Sequence, residues 1–461
     1  MRPAISWSDL RGASVGVWGL GIEGTANLER LLGMGASVRV VEDSPTVESV
    51  LGCEVLALGA GGFEELCRQD VVVKTPGVPR RRPEVVSLQD RGIPVVGGLG
   101  LWMQEAPRDR VVAITGTKGK STTTAIAGHL LQRLGYQSLV AGNIGLVPYG
   151  KGVTAAFDYA VVEVSSYQAT DMASSPPVVA VTSLHPDHLD WHGGVDNYYA
   201  DKLSLCTQPG ARLTVADGDN EALATRRSSL GQEVRWVTAD DADLGGAWMA
   251  GLGLQGAHNR RNAMIARACL LALGVAEAED PSLLATASEG YEGLQSRLCT
   301  IGQAQGVSFV DDSLSTNVLP TIAALDAFSN NPVALILGGH DRGIDYAPLA
   351  TQLAGRRPAV AVFTLPENGP WIGAAVRQAG QSAPAIVDCG DMEEAVDKAF
   401  AWAASAARDP GTAGTAGDAG GASVNAVVLL SPAAPSYGQF RDYKERADAF
   451  AAAMHRLQAR A

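Results

Sequence analysis

RVVAITGTKGKSTTT, residues 110–124, joins an apolar run to a turn rich in glycine and lysine. The apolar residues predict a buried strand, and the following stretch of about fifteen residues predicts a helix. Glycines allow successive backbone N–H groups to face phosphate oxygens at the helix start, where a lysine reaches the β- and γ-phosphates and a serine binds Mg²⁺. The segment therefore predicts an ATP site comprising Gly116, Thr117, Lys118, Gly119, Lys120, Ser121 and Thr122.

The spacing of this turn differs from the usual GxxxxGK[ST] pattern, because Gly116 lies three residues before Gly119. The assignment therefore depends on what the rest of the chain provides.

Length and composition limit the class of protein. A chain of 461 residues exceeds one typical core, so we expect about three domains. The net charge of −13 and the lack of a Lys/Arg run argue against nucleic-acid binding. The start of the sequence does not resemble a signal peptide, and no apolar run is long enough for a membrane span, which predicts a cytoplasmic protein without membrane insertion.

Strand and helix patterns alternate along the chain, which predicts an α/β protein of three domains. Residues 1–105 read as a Rossmann-like domain, 106–296 as a doubly wound domain of the P-loop type, and 297–461 as a second Rossmann-like domain. Residues 409–423, DPGTAGTAGDAGGAS, have the composition of a flexible surface insertion.

Polar residues at the ends of predicted strands of the central domain mark a second feature of the site. Glu163 closes the apolar run YAVVEV, and His188 lies in SLHPDHLDWH after another strand. The carboxyl ends of neighbouring parallel strands lie beside the nucleotide crevice, so Glu163 and His188 are candidate magnesium ligands. Lys202 lies on the next predicted helix, and from the residues alone it is better explained as an exposed cation.

Eight motifs stand in order along the chain and cover nearly all of it. They are TGTKGKSTTT (115–124), AGNIG (141–145), EVSSYQ (163–168), HPDHLDWHG (185–193) with Lys202 downstream, GAHNRRN (256–262), DDSLSTN (311–317), GGHDRG (338–343) and SPAAPSYGQF (431–440). Together they resemble the motifs of the Mur ligases of peptidoglycan synthesis, specifically the ligases that add glutamate to UDP-N-acetylmuramoyl-L-alanine.

The resemblance implies a role for each domain. The first domain is expected to bind the UDP-sugar, the second ATP and Mg²⁺, and the third the incoming glutamate. The residues implied for the UDP-sugar are Gly19, Leu20, Gly21, Thr75, Pro76, Gly77, Asn143, Ser165 and Gln168. Those implied for ATP beyond the loop are Asn259, Asn262, Arg297 and Asp312, and those for glutamate are Thr316, Arg342, Ser436 and Phe440.

The same resemblance implies the chemistry. Ser121 and Glu163 are expected to hold one Mg²⁺ and His188 a second, with Lys202 as a further ligand if it is carbamylated. Lys120, His188 and Lys202 are the implied catalytic residues. The alanine carboxylate would attack the γ-phosphorus to give an acyl phosphate, which the glutamate amine then attacks. A monomeric enzyme is expected.

Residues 312–317, DSLSTN, depart from the family pattern DSKATN, because Leu314 replaces a lysine expected near the carboxylates of D-glutamate. The loss of a charged hydrogen bond worth about 1.5–3 kcal/mol indicates a changed amino-acid pocket. We therefore favour L-glutamate, with a separate epimerase acting on the product, and keep D-glutamate as the alternative. A folyl-polyglutamate-type ligase or a P-loop regulatory protein also shares the ATP loop.

Overall fold

The structure, a computed structural model, describes residues 2–154, 156–378, 380, 383–408 and 425–460. The insertion predicted at 409–423 lies outside the described residues. The chain divides into two compact units, one of Met1–Gly253 with Asn259–Tyr291 and one of Leu254–His258 with Glu292–Ala461. The described residues form three six-stranded sheets, two in the first unit and one in the second. This confirms the predicted three-domain α/β fold.

The first sheet has the strand order β3-β4-β2-β1-β5-β6, and its pairs are parallel except for β3 with β4. Its central strands are apolar and buried, as expected for strands covered on both faces by helices. The strands are β1 Ser14–Trp18, β2 Ser37–Glu42, β3 Ser49–Val50, β4 Cys53–Ala57, β5 Val71–Lys74 and β6 Val95–Gly97, and the helices are α1 Ile22–Gly33, α2 Phe63–Leu66, α3 Pro83–Asp90 and α4 Gly98–Glu105.

The second sheet is parallel throughout, with the order β12-β11-β10-β7-β9-β8. Its strands are β7 Val111–Thr115, β8 Ser138–Gly142, β9 Tyr159–Glu163, β10 Val178–Val181, β11 Leu213–Asp217 and β12 Glu233–Val237. Its helices are α5 Lys120–Arg133, α6 Ser166–Ala169, α7 Leu189–His192, α8 Val195–Leu203, α9 Glu221–Ala224, α10 Ala239–Gly245, α11 Ala257–Ala272 and α12 Pro281–Ser288. Strand β7 pairs with β9 on one side and β10 on the other, so ligands are expected where these three strands end.

The third sheet has the order β13-β14-β18-β15-β16-β17 and is parallel except for β13 with β14. The strands are β13 Cys299–Ala304, β14 Val307–Asp311, β15 Val333–Leu337, β16 Val360–Thr364, β17 Ala385–Asp388 and β18 Ala426–Leu430. The helices are α13 Val318–Ala327, α14 Ala347–Leu353, α15 Gly369–Arg377, α16 Met392–Ala406 and α17 Tyr443–Arg460. Apolar clusters cover both faces of this sheet.

The first two sheets share one buried apolar cluster, which runs from Trp7 and Val15 in the first domain to Val111 and Leu205 in the second. A fully buried ion pair lies between the same two domains, where the Lys74 ammonium contacts the Asp171 carboxylate. Arg80 Nη1 lies 3.1 Å from the other oxygen of Asp171. The first two domains are therefore packed as one body. No helix in the described part of the chain is long and apolar enough to cross a membrane.

Candidate active site

The turn between β7 and α5 requires glycine at two positions. Gly116 and Gly119 have φ of 141° and 88°, which L side chains rarely adopt. A Cβ at Gly116 would lie 2.2 Å from Thr182 Oγ1, and one at Gly119 would lie 2.5 Å from Asn262 Oδ1. The structure thus places Asn262, predicted from a distant motif, directly against residues 116–122, the predicted phosphate-binding loop.

Two lysine side chains meet at this loop. Lys120 Nζ donates to the carbonyl oxygens of Gly116 and Thr117 at 2.9 and 3.0 Å, and Lys202 Nζ donates to the same Gly116 oxygen at 2.8 Å. Lys202 is only 2% exposed, which excludes the exposed-cation alternative. Burial, followed by the positive charge of Lys120, lowers the pKa of Lys202 well below its usual value. The Lys202 amine is therefore poised to lose its proton.

Asp187 is a site residue that the sequence prediction left out. Its carboxylate lies 3.3 Å from Lys118 Nζ and 3.8 Å from His188 Nε2. Burial alone would raise the pKa of Asp187, but Lys118 and the neighbouring cations hold it below its usual value. Asp187 therefore stays ionised and partly balances the lysines.

His188 lies at the start of α7 with a φ of 52°, and its ring is 5.2 Å from that of Tyr167. Burial is the main cause that lowers the pKa of His188, and the nearby lysines add to this effect. At neutral pH the imidazole is therefore uncharged and able to accept a proton or bind a cation.

Glu163 ends β9 beside the phosphate-binding loop and is 1% exposed. Its Oε1 accepts a hydrogen bond of 2.8 Å from Asn143 Nδ2. Its buried Oε2 has no hydrogen-bond partner within the described residues. A buried carboxylate oxygen without a donor fits a bound cation, since leaving it unpaired costs free energy. The described residues contain no group of three or more His, Cys, Asp or Glu side chains that could by themselves hold a metal ion.

In the first domain, the turn between β1 and α1 packs on the loop that contains Thr75, Pro76 and Gly77. Gly19 has a φ of 97°, and a Cβ there would lie 2.2 Å from Thr75 Oγ1. The Leu20 backbone N–H donates to Glu42 Oε2 at 2.7 Å, and Gly21 is the residue before α1. The structure therefore brings together residues 19–21 and 75–77, two of the segments predicted for the UDP-sugar.

Gln168 connects this turn to the central domain. Its Nε2 donates to Glu23 Oε1 at 2.7 Å, while its Oε1 accepts from the Ser165 backbone N–H at 2.8 Å. Burial raises the pKa of Glu23 to about 7, against the opposing effect of the Gln168 hydrogen bond. The sequence prediction missed Glu23, whose only signal is the acidic residue inside GLGIEG.

Replacing Glu23 with Gln should stabilise the protein at high pH. Folding raises the pKa of the Glu23 carboxyl from 4.5 to about 7. The folded protein therefore loses stability relative to the unfolded chain as the pH rises through that range. The variant should be more stable than the wild type by up to about 3 kcal/mol near pH 8, and the difference should vanish near pH 4.5. Urea unfolding at both pH values measures this. Asp9→Asn is the control. Because folding lowers the pKa of Asp9, this substitution should change the stability at high pH in the opposite direction.

In the second unit, the predicted glutamate residues follow three adjacent parallel strands. Thr316 follows β14, Arg342 follows β15, and Ser436 and Phe440 follow β18. The carboxyl ends of parallel strands meet at one edge of a sheet, so these residues share that edge. Arg342 is exposed, and its guanidinium lies 5.6 Å from the centre of the Tyr437 ring.

Asp312 lies at the same edge and is almost fully buried. Its carboxylate accepts hydrogen bonds from the Ser315 hydroxyl, from Ser431 Oγ at 2.7 Å and from the Leu298 N–H at 3.1 Å. Burial raises the pKa of Asp312 to about 7, although these hydrogen bonds act in the opposite direction. Arg297, its predicted companion, is exposed just before β13.

Arg446 on α17 contacts several loops at this edge. The sequence prediction did not include this residue. Its guanidinium donates to the carbonyl oxygens of Ser313 at 2.7 Å, Ala434 at 3.0 Å and Gly338 at 3.4 Å. The side chain is fully buried, and burial lowers its pKa to about 10. One guanidinium therefore holds the loops after β14, β15 and β18 together.

Replacing Arg446 with Lys should destabilise the protein by about 2–3 kcal/mol, because a single ammonium cannot satisfy carbonyls on three separate loops. Urea unfolding measures the change. Arg456→Lys is the control on the same helix, since Arg456 pairs with Glu393 at the surface, and a change within about 0.5 kcal/mol is expected. Equal effects of the two substitutions would contradict the role of Arg446.

The comparisons with known proteins agree with this geometry. The Mur ligase middle domain family matches residues 114–270. A UDP-N-acetylmuramoyl-L-alanine–L-glutamate ligase of a Micromonospora species is 38% identical, covering 97% of both chains. The ligase of the same name from Xanthomonas euvesicatoria is 34% identical, covering 96% of this chain and 95% of the relative.

Solved structures share the fold at lower identity. UDP-N-acetylmuramate-alanine ligase MurC from Thermotoga maritima is 18% identical and covers 97% of this chain and 100% of its own, with a TM-score of 0.54. MurF from Acinetobacter baumannii is 14% identical and covers 99% and 92%, with a TM-score of 0.57.

Three α/β domains, with two lysines meeting at the glycine-rich turn after β7, fit the predicted nucleotide-dependent enzyme of the ligase class. With relatives of this identity along almost its entire length, the chain belongs to the Mur ligase family.

Proposed function

We propose that the protein is an ATP-dependent ligase that joins L-glutamate to UDP-N-acetylmuramoyl-L-alanine during peptidoglycan precursor synthesis. The observation that carries this proposal is the convergence of Lys120 and the buried Lys202 on the Gly116 carbonyl. A simple phosphate-binding loop needs only the first lysine, whereas a ligase must also hold the substrate carboxylate that attacks the γ-phosphate. The names of the relatives that align over the whole chain support the same activity.

ATP is proposed to lie with its phosphates on residues 116–122 and its adenine towards Asn259 and Asn262. Asn262 Nδ2 donates to Asn259 Oδ1 at 3.3 Å, so the two amides form one polar surface. Mg²⁺ would be held by Glu163 and Ser121 with water and phosphate oxygens completing its shell, and by His188 for a second ion. When bound, the ions neutralise phosphate charge.

The chain's own residues account for the remaining steps. Lys120 moves from the loop carbonyls to the γ-phosphate as the alanine carboxylate oxygen bonds to phosphorus and ADP leaves. The glutamate nitrogen then bonds to the acyl carbon, and phosphate departs with the electrons of the broken C–O bond. The amine must lose a proton, and His188, uncharged at neutral pH, can accept it when it is not bound to metal.

L-Glutamate is favoured because Leu314 stands where D-glutamate ligases of the family carry lysine, and because the aligned relatives are named as L-glutamate ligases. A separate epimerase would then act on the product, and the ligase itself would work as a monomer. A folyl-polyglutamate-type ligase or a regulatory P-loop protein would leave the turn formed by Gly19 and Thr75 unexplained.

Within this proposal each domain has one substrate. Residues 1–105 bind the UDP portion, residues 106–296 bind ATP and Mg²⁺, and residues 297–461 bind glutamate. The resemblance also assigns Asp312 and Arg297 to the nucleotide, and Thr316, Arg342, Ser436 and Phe440 to the glutamate.

Purified protein given ATP, Mg²⁺ and UDP-N-acetylmuramoyl-L-alanine should release ADP only when glutamate is added, and faster with L-glutamate than with D-glutamate. Lys120→Ala should lower the rate by at least about 100-fold, because a preorganised charge at the transferred phosphate is lost. Lys398→Ala removes a surface lysine paired with Glu394 and should leave the rate unchanged. Absence of glutamate-dependent ADP release would refute the ligase assignment, and a preference for D-glutamate would refute the stereochemistry.

Lys202 should exist as a carbamate. A neutral amine attacks CO₂, a N–C bond forms and one proton is released, and the lowered pKa of Lys202 favours this reaction. Protein equilibrated with ¹³C-bicarbonate should show a carbamate carbon signal by NMR that is absent from Lys202→Arg. A wild-type spectrum without this signal would remove Lys202 from the metal ligands.

A further inference from the structure

Helix α8 carries two adjacent residues that face different partners. Lys202 points to the Gly116 carbonyl of the phosphate-binding loop, as described above. Asp201 contacts Arg81 in the first domain. On the same helix, the Tyr198 hydroxyl lies 2.8 Å from Thr117 Oγ1. This single helix therefore contacts the phosphate-binding loop at two points and the first domain at a third.

The contact with the first domain has the geometry of a specific ion pair. Arg81 Nη1 and Nη2 lie 2.6 and 3.0 Å from the two oxygens of Asp201, which is a bidentate arrangement. Arg81 belongs to the loop that follows β5, four residues after Gly77 of the proposed uridine-side segment. A ligand that orders this loop would therefore act on Asp201.

The Asp201 carboxylate also extends into the central domain. His192 Nδ1 lies 2.7 Å from Asp201 Oδ2, and His192 Nε2 lies 3.0 Å from Ser166 Oγ. Ser166 follows Ser165, whose hydroxyl caps α6 next to Gln168. His192 is fully buried, so this chain of contacts is shielded from water.

We propose that Arg81 and Asp201 are positioning residues that couple binding of the UDP-linked substrate to binding of ATP, through the placement of Lys202 and Thr117 by α8. This inference rests on the proposed function and deepens it, since it assigns communication between two substrate sites to a specific ion pair.

Docking of the two domains does not require the Arg81 pair. The buried contact of Lys74 with Asp171 and the shared apolar cluster already hold the domains together. The Arg81 side chain is 46% exposed, and the Asp201 carboxylate keeps its contact with His192 when Arg81 is removed. Loss of Arg81 should therefore change coupling more than folding.

Isothermal titration calorimetry tests the coupling directly. The affinity for a non-hydrolysable ATP analogue is measured with and without saturating UDP-N-acetylmuramoyl-L-alanine. In the wild type the UDP substrate should tighten nucleotide binding by about five- to tenfold. Arg81→Met and, separately, Asp201→Asn should reduce this factor to less than about twofold while each ligand still binds alone.

Two neighbouring arginines provide matched controls. Arg80→Met removes the ion pair between Arg80 and Asp171, which joins the same two domains but does not involve α8. Arg82→Met removes pairs with Asp43 and Glu84 that lie within the first domain. Both variants should keep the wild-type coupling factor, and thermal melting of all variants verifies that they are folded.

The outcomes separate this inference from the proposed function. Coupling lost equally in Arg80→Met would assign the effect to domain docking in general and overturn the role of Arg81. A wild type that binds both ligands without coupling would overturn the inference and leave the ligase proposal standing. Failure of the wild type to bind either ligand would overturn both.

Discussion

Two lysine amino groups share a single backbone oxygen in the second domain, and the candidate site is organised around that constraint. Lys120 and Lys202 both donate to the Gly116 carbonyl, which is exposed to them because glycine allows the turn to bend there. Placing two positive charges this close is costly unless an anion approaches or one group loses its proton. Burial, followed by the charge of Lys120, lowers the pKa of Lys202, while Lys118 and the neighbouring cations keep Asp187 ionised. The buried Oε2 of Glu163, which has no hydrogen-bond partner in the described part of the chain, lies at the end of the adjacent strand β9.

The sequence predicted the interior of each sheet well, because strands covered on both faces are apolar without interruption. The runs that became β1, β7, β9 and β15 are buried along nearly their whole length. The apolar runs did not predict β12 and β17, each of which lies at the edge of its sheet. In β12 exposed and half-buried residues alternate and only Val237 is buried, and β17 has no buried residue. A strand with a solvent-facing side leaves only a weak pattern.

Candidate site residues could be proposed from the sequence where a short local motif marks them, and not where their environment depends on distant contacts. Glu163 ends strand β9, and Lys120 and His188 lie in the segments that follow β7 and β10. Asp201 and Arg446 have partners 120 and 133 residues away in the chain. Glu23 likewise meets Gln168 across 145 residues. Their environment exists only once the sheets are assembled, so no local signal could have revealed it.

The apolar cluster that continues from the first sheet into the second limits how this architecture can be rearranged. Separating the two domains would expose side chains such as Trp7 and Leu101 that are now almost fully buried. It would also leave the buried Lys74 ammonium without its partner Asp171. Recombination between relatives that separated the first two domains would break this cluster. These two domains are therefore expected to be exchanged together, as one block.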